Sequence, residues 1–230
     1  MNPRNPPCLV AITGGSGSGK TWLADRLWRD FAPFAARLSM DDFYLDLSSL
    51  PPEVRERNNF DRPDALDCEL FESVLRRAKS GEPVWLPCYD FATHTRTGRK
   101  RLWRPAPLVL VDGLWPLVHP HIRPLFNLGI FLECDESLRL ERRLARDTAE
   151  RGRTAESVHE QFRSCVAPMH GEHVAPQARW ADLLLAGVPG EKDYAGVKQM
   201  IETRARLAFQ SGTAGDGQRR GEEAGGRIAG

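Results

Sequence analysis

Lys20 and Thr21 close the run Gly14-Gly15-Ser16-Gly17-Ser18-Gly19-Lys20-Thr21, whose spacing fits the Walker A pattern G-x-x-x-x-G-K-[ST] without departure. Glycines at that spacing let successive backbone N–H groups turn inward around a phosphate. The helix that follows adds its free N–H groups and the positive end of its dipole. A lysine at that point reaches the β- and γ-phosphates, and the hydroxyl after it binds Mg²⁺. The residues on either side supply the context this chemistry needs. Residues 8–13 are an apolar run suited to a buried parallel strand, and residues 21–31 carry Leu23, Leu27 and Phe31 four apart, as one helix face requires.

Two further groups of acids stand at the ends of expected strands, where ligands sit in open α/β sheets. Asp112 follows Leu108-Val109-Leu110-Val111 and is placed to hold Mg²⁺, directly or through water. Asp41 and Asp42 follow a second strand over residues 35–40. Either could take the proton of an acceptor hydroxyl, and either could instead cap a helix. Arg139, Arg142, Arg143 and Arg146 lie three or four apart on one broad helix face, and Arg151-Gly152-Arg153 follows them. Arginines delivered by a closing lid stabilise the charge of phosphoryl transfer, and a glycine between them permits a mobile turn.

These residues need a scaffold, and the remaining pattern describes one. Apolar strands alternate with helices: residues 67–79, 136–150, 155–166 and 193–209 read as helices, and 108–111, 129–132 and 181–185 as strands. Strand–helix alternation means a mostly parallel central sheet covered on both faces, an α/β three-layer sandwich of the P-loop NTPase type. Residues 44–62 read as loop with about one helical turn, and a β-hairpin outside the main sheet is expected over about 83–104. The lid is expected over about 136–166. Residues 1–7 read as a flexible leader, 8–210 as the P-loop domain, and 211–230 as a disordered tail too poor in apolar residues to form a core.

Composition narrows the function classes. The formal net charge of +1 offers no global basic field for nucleic acid. The five cysteines form no C-x-x-C pair, so neither a zinc site nor a disulfide framework is expected. Without a long apolar run, no membrane partner is expected, and the expected location is the cytoplasm.

Several segments, in order, resemble the uridine kinase (uridine-cytidine kinase) family of the phosphoribulokinase/uridine kinase group. They are the P-loop, Asp41-Asp42-Phe43-Tyr44, Asn59-Phe60-Asp61-Arg62-Pro63-Asp64-Ala65, Tyr89-Asp90-Phe91-Ala92-Thr93-His94-Thr95-Arg96, Asp112-Gly113, and the arginine helix with Glu150-Arg151-Gly152-Arg153. The resemblance implies ATP-dependent phosphorylation of the 5′-hydroxyl of a pyrimidine nucleoside, with Mg²⁺ and with GTP as an alternative donor. A relative acting on another small alcohol is the rival reading, and a nucleotide-binding regulator a more distant one. It further implies Asp41 as catalytic base, with Lys20, Arg146 and Arg151 at the transferring phosphate. Asp61, Tyr89, His94, Arg143, Arg153 and Gln161 are implied on the nucleoside side, and Thr21, Asp41 and Asp112 around the metal. Members of the family often form homo-oligomers. Asp42 stands where uridine kinases usually carry Ser, and Asp112 where they usually carry Glu.

Overall fold

The computed structural model describes residues 6–56 and 58–214. Five strands form one sheet in the order β2-β5-β1-β6-β7. They are β1 (Cys8–Gly14), β2 (Ala35–Ser39), β5 (Leu108–Gly113), β6 (Leu128–Glu133) and β7 (Leu183–Ala186), and every pairing among them is parallel. The continuous apolar runs of β1, β5 and β6 arise because these inner strands are buried on both faces and alternate between two cores. Leu9, Val109 and Val111 join Phe43, Phe71 and Trp103 on one side. Val10, Ile12, Leu108 and Leu110 join Leu23, Leu27 and Val197 on the other. Both faces are thus closed by helices, α3 (Cys68–Lys79) on the first and α1 (Lys20–Asp30) with α7 (Glu191–Ala214) on the second. Leu110 is fully buried, so truncating it to alanine is expected to cost about 2–5 kcal/mol.

The chain leaves β1 towards β5 and β2, then crosses back to β6 and β7. The strand order therefore reverses around β1, and the crevice beyond its C-terminal end is where such sheets bind ligands. The P-loop stands there. A short helix α2 (Pro52–Glu56) supplies the expected helical turn, and Asp67 caps α3 by accepting from Leu70 N at 3.0 Å.

The hairpin consists of β3 (Val84–Asp90) and β4 (Thr95–Trp103), with the Tyr89–His94 stretch at its tip. Two expectations need correction. The helical run does not end at residue 166. After α4 (Glu136–Arg151) and α5 (Ala155–Gln161) the chain stays helical through π turns at Phe162–Val166 and His170–Val174, a short α6 (Ala167–Met169) and a 3₁₀ stretch at Ala175–Trp180. Pro168 falls at the start of α6, and the adjoining π turns accommodate the amide it lacks. The first residues of the expected tail, 211–214, belong to α7. The rest of that tail and most of the leader lie outside the described residues.

Candidate active site

β1 ends at Gly14, and the loop turns sharply into α1. Gly17 has φ 83°, and a Cβ there would sit 2.5 Å from Arg139 O on α4. Glycine is required at that position both for the backbone and for the space. Gly19, in the left-handed region, caps α1 without a side-chain acceptor, so the helix presents its first N–H groups to an anion. Lys20 Nζ donates to Gly15 O at 3.3 Å. Burial pushes the Lys20 ammonium below its ordinary value. Asp41 pulls hardest against that, followed by Asp112, so these two carboxylates are the main negative charges acting on the lysine.

A cleft of about 890 Å³ opens in front of the loop. It is lined by Ser16, Lys20 and Thr21 from the loop and the start of α1, by Asp41 and Asp61, by Tyr89 and His94 from the hairpin tip, and by Arg143, Arg146, Arg153 and Gln161 from the helices after β6 and the turn between them. These eleven positions were all singled out from the sequence. Asp112 sits behind Thr21, 3% exposed, and its Oδ2 accepts from the Thr21 hydroxyl at 3.0 Å. The side chain of Arg151 lies outside the described residues.

The two neighbouring acids differ in their surroundings. Ser39 Oγ caps the 3₁₀ turn Met40–Phe43, accepting from Asp41 N at 3.3 Å, so the Asp41 side chain is not needed as a cap. Asp42 turns away and accepts from Arg101 Nη2 of β4 at 2.5 Å. Only Asp41 of the pair lines the cleft. Asp61 is 8% exposed. Burial pushes its carboxyl up, and Arg143, Lys20 and Arg146 hold it back.

The aromatic wall is continuous. Tyr44 packs on Phe60, Tyr89 and Phe91, and the His94 ring stacks on Phe60 at 4.3 Å between centroids, 17° from parallel. The buried Tyr89 hydroxyl has no hydrogen-bond partner, and burial pushes its pKa up to about 12. An orphaned hydroxyl in a cleft is a donor available to a ligand.

The arginines of α4 divide by direction. Arg142 Nη1 donates to Gly17 O at 3.2 Å, and the buried Arg139 packs against Gly15, so these two brace the P-loop from behind. Arg143 bridges Ser16 Oγ at 2.9 Å and Gln161 Oε1 at 2.8 Å. Arg153 donates to the same amide oxygen. Gln161 therefore organises the two arginines, a role its sequence context did not reveal.

The Phosphoribulokinase / Uridine kinase family model matches residues 9–193. The chain belongs to this family. Among curated relatives, the uridine kinase of Chloroflexus aggregans is 41% identical over 206 residues, 89% of this chain and 97% of its own. That of Staphylococcus carnosus is 37% identical over 79% of this chain and 88% of its own. Among solved structures, phosphoribulokinase from Rhodobacter spheroides superposes with a TM-score of 0.57 at 20% identity, covering 78% of this chain and 69% of that one. D-glycerate 3-kinase from Cryptococcus neoformans gives 0.54 at 20% identity, covering 72% and 78%. These two likenesses concern the fold.

Within this family member one polar contact has no counterpart in the motifs read from the sequence. Arg37, in the edge strand β2, forks onto Asp112, with Nε 3.1 Å from Oδ1 and Nη2 3.2 Å from Oδ2. Its remaining nitrogen, Nη1, meets Asp25 of α1. The only sequence sign was an arginine inside an otherwise small and apolar strand, Ala35-Ala36-Arg37-Leu38.

Proposed function

We propose that the chain transfers the γ-phosphoryl group of ATP to the 5′-hydroxyl of a pyrimidine nucleoside, uridine or cytidine. One observation carries the reading: Lys20 and Asp41 line the same cleft as Asp61, Tyr89 and His94. The curated relatives named uridine kinase, matched over most of their length, support it.

The chemistry follows from the placement. Asp61 has two oxygens suited to a ribose 2′,3′-diol, which fixes the sugar and aims its 5′-hydroxyl. Asp41 accepts the proton of that hydroxyl as its oxygen bonds to the γ-phosphorus. The bond from the γ-phosphorus to the bridging oxygen breaks, and ADP leaves with the electron pair. Lys20 and the loop N–H groups hold the β- and γ-phosphates, and Arg146 stabilises charge on the equatorial oxygens. Burial makes each of these charges act more strongly than it would in water. His94 and the Tyr89 hydroxyl are placed to read the base edge. His94 has φ 55°, a left-handed conformation that costs of order 1 kcal/mol or more and gathers at binding sites.

The residues present fit Mg²⁺. The Thr21 hydroxyl donates its hydrogen to Asp112 at 3.0 Å, which leaves the hydroxyl lone pairs to face a cation. When bound, the ion neutralises charge on the β- and γ-phosphate oxygens. Thr21, Asp112 and Asp41 would hold it, directly or through water.

A coupled ADP-release assay over uridine, cytidine, nicotinamide riboside, pantothenate, glycerate and ribulose 5-phosphate tests the reading. Turnover is expected with the two pyrimidine nucleosides. Release with a non-nucleoside acceptor alone would overturn it.

A further inference from the structure

Asp112 has few acceptor positions to spare. A carboxylate offers about four lone-pair directions. Oδ1 takes Arg37 Nε, while Oδ2 takes both Arg37 Nη2 and the Thr21 hydroxyl. The fork is fixed at its other end as well, because Arg37 Nη1 is held by Asp25. Thr21 and Asp25 lie four residues apart on α1, one turn of one helix face. Arg37 is thus clamped between the helix that presents the metal-binding hydroxyl and the strand that presents the carboxylate.

The backbone of Arg37 is fixed too. Its carbonyl accepts from Trp103 Nε1 at 2.8 Å. In the parallel pairing of β2 with β5, Arg37 stands beside Leu110 and Ser39 beside Asp112. The guanidinium reaches forward along the sheet face by one residue pair. Asp112 is nearly inaccessible at 3% side-chain exposure, whereas Arg37 keeps 26% at the sheet edge. A buried carboxylate held by a bidentate guanidinium has little rotational freedom.

From this geometry we infer that Arg37 is a positioning residue for the divalent-cation site. It locks the Asp112 carboxylate so that Oδ2 accepts the Thr21 hydrogen, which turns the Thr21 lone pairs towards the cation beside the nucleotide phosphates. The shorter acid and the arginine form a unit: the carboxylate orients the hydroxyl and the hydration shell of the ion, and the arginine sets the carboxylate. Partners of this kind typically account for 10–100-fold in metal affinity or activity.

The inference rests on the P-loop and metal reading but not on the nucleoside, so it is tested without any acceptor. ADP binding to the full chain is measured by titration calorimetry with and without Mg²⁺, in wild type, Arg37→Met and Arg37→Lys. Metal-free ADP affinity is expected to stay within about twofold, since Arg37 touches no loop N–H group. The tightening produced by Mg²⁺ is expected to shrink about tenfold or more in Arg37→Met. It is expected to shrink less in Arg37→Lys, which keeps a charge but not the fork. In an Asp112→Asn background, Arg37→Met should add little further loss, as for two residues acting through one contact.

An unchanged Mg²⁺ effect in Arg37→Met would overturn the assignment, and so would equal weakening with and without metal, which marks a purely structural role. A larger Mg²⁺ effect would show Arg37 competing with the ion for Asp112 and would overturn it as well. Should the methionine variant not fold, the lysine variant decides: a several-fold shrinkage supports the assignment, and no change defeats it. A failure of the nucleoside reading alone appears in the ADP-release assay and leaves this measurement untouched.

Discussion

The floor of the cleft and its hairpin wall are built in opposite ways. The floor hangs from strand ends buried on both faces, and Thr13, Ser16, Ser18 and Asp112 are all buried. The wall is a two-stranded hairpin outside the main sheet, with Phe91 46% exposed at its tip. Its base is anchored in the core through Val84, Leu86 and Trp103, and polar ties hold it nearer the tip: Arg96 donates to Tyr44 O at 3.0 Å and to Asp67 Oδ2 at 3.1 Å, and Arg101 pairs with Asp42. In the proposed reading, phosphate charge is handled by residues the sheet prearranges, while acceptor recognition falls partly to the exposed tip of a hairpin outside that sheet. Substitutions in the floor should act on turnover and substitutions in the wall on affinity.

The largest effect is expected at Asp41. Asp41→Asn keeps the shape and removes the proton acceptor, so turnover should fall by about 10²–10⁴-fold with little change in either KM. Steady-state kinetics with both substrates varied would reveal the split. Unchanged turnover would break the contrast between floor and wall at its strongest point.

Asp61 comes next. Losing hydrogen bonds to a charged acceptor costs about 1.5–3 kcal/mol, so Asp61→Asn should raise the nucleoside KM roughly 10- to 100-fold. The same change should raise Tm at neutral pH. Burial lifts the Asp61 carboxyl above its ordinary value, so the folded chain holds that proton more tightly than the unfolded one. Stability is then lost as pH rises from the ordinary Asp range through the raised value, and asparagine removes that loss. Melting curves across pH would expose a failure of either half.

What the sequence disclosed follows the same division. β1, the P-loop and β5 were legible because a doubly buried strand leaves an unbroken apolar run and phosphate binding needs glycines at fixed spacing. The hairpin was only half legible. Most of β4, Thr95–Trp103, is exposed on both faces, so no alternation marks it as a strand. The helical stretch past residue 166 contains Pro168 and Gly171, residue types that disfavour helix interiors, while in the structure π turns carry the helix past them. Arg37 carried no motif at all, and the resemblance implied Gln161 as a nucleoside contact rather than as a partner of arginines. Their roles depend on partners 75 and 18 residues away, and single-chain spacing does not encode such pairs. The choice between Asp41 and Asp42 likewise waited on Arg101, 59 residues downstream.

A smaller effect is expected at the hairpin tip. His94→Ala removes the ring stacked on Phe60 and a base contact, so the nucleoside KM should rise about tenfold, the scale of one neutral hydrogen bond with some packing. The ATP KM should stay within about twofold. Equal rises in both would show that the hairpin and the phosphate floor move as one body, against the division drawn above.

The smallest effect is expected at the seam between lid and floor, where His170 packs against Gly15. Its buried Nδ1 has no hydrogen-bond partner. Burial lowers the imidazole to about 4, and the Arg139 and Lys20 charges add to the shift. The folded chain thus keeps His170 neutral where the unfolded chain, near pH 6.5, would protonate it. Its contribution to stability is intact above about pH 6.5 and declines as pH falls from there towards 4. His170→Phe should flatten that acid slope in the melting temperature and leave turnover at pH 7.5 within about threefold, because no proton moves at this residue during transfer. An acid slope as steep in the variant as in wild type would place the titration elsewhere and detach the seam from the charge balance of the P-loop.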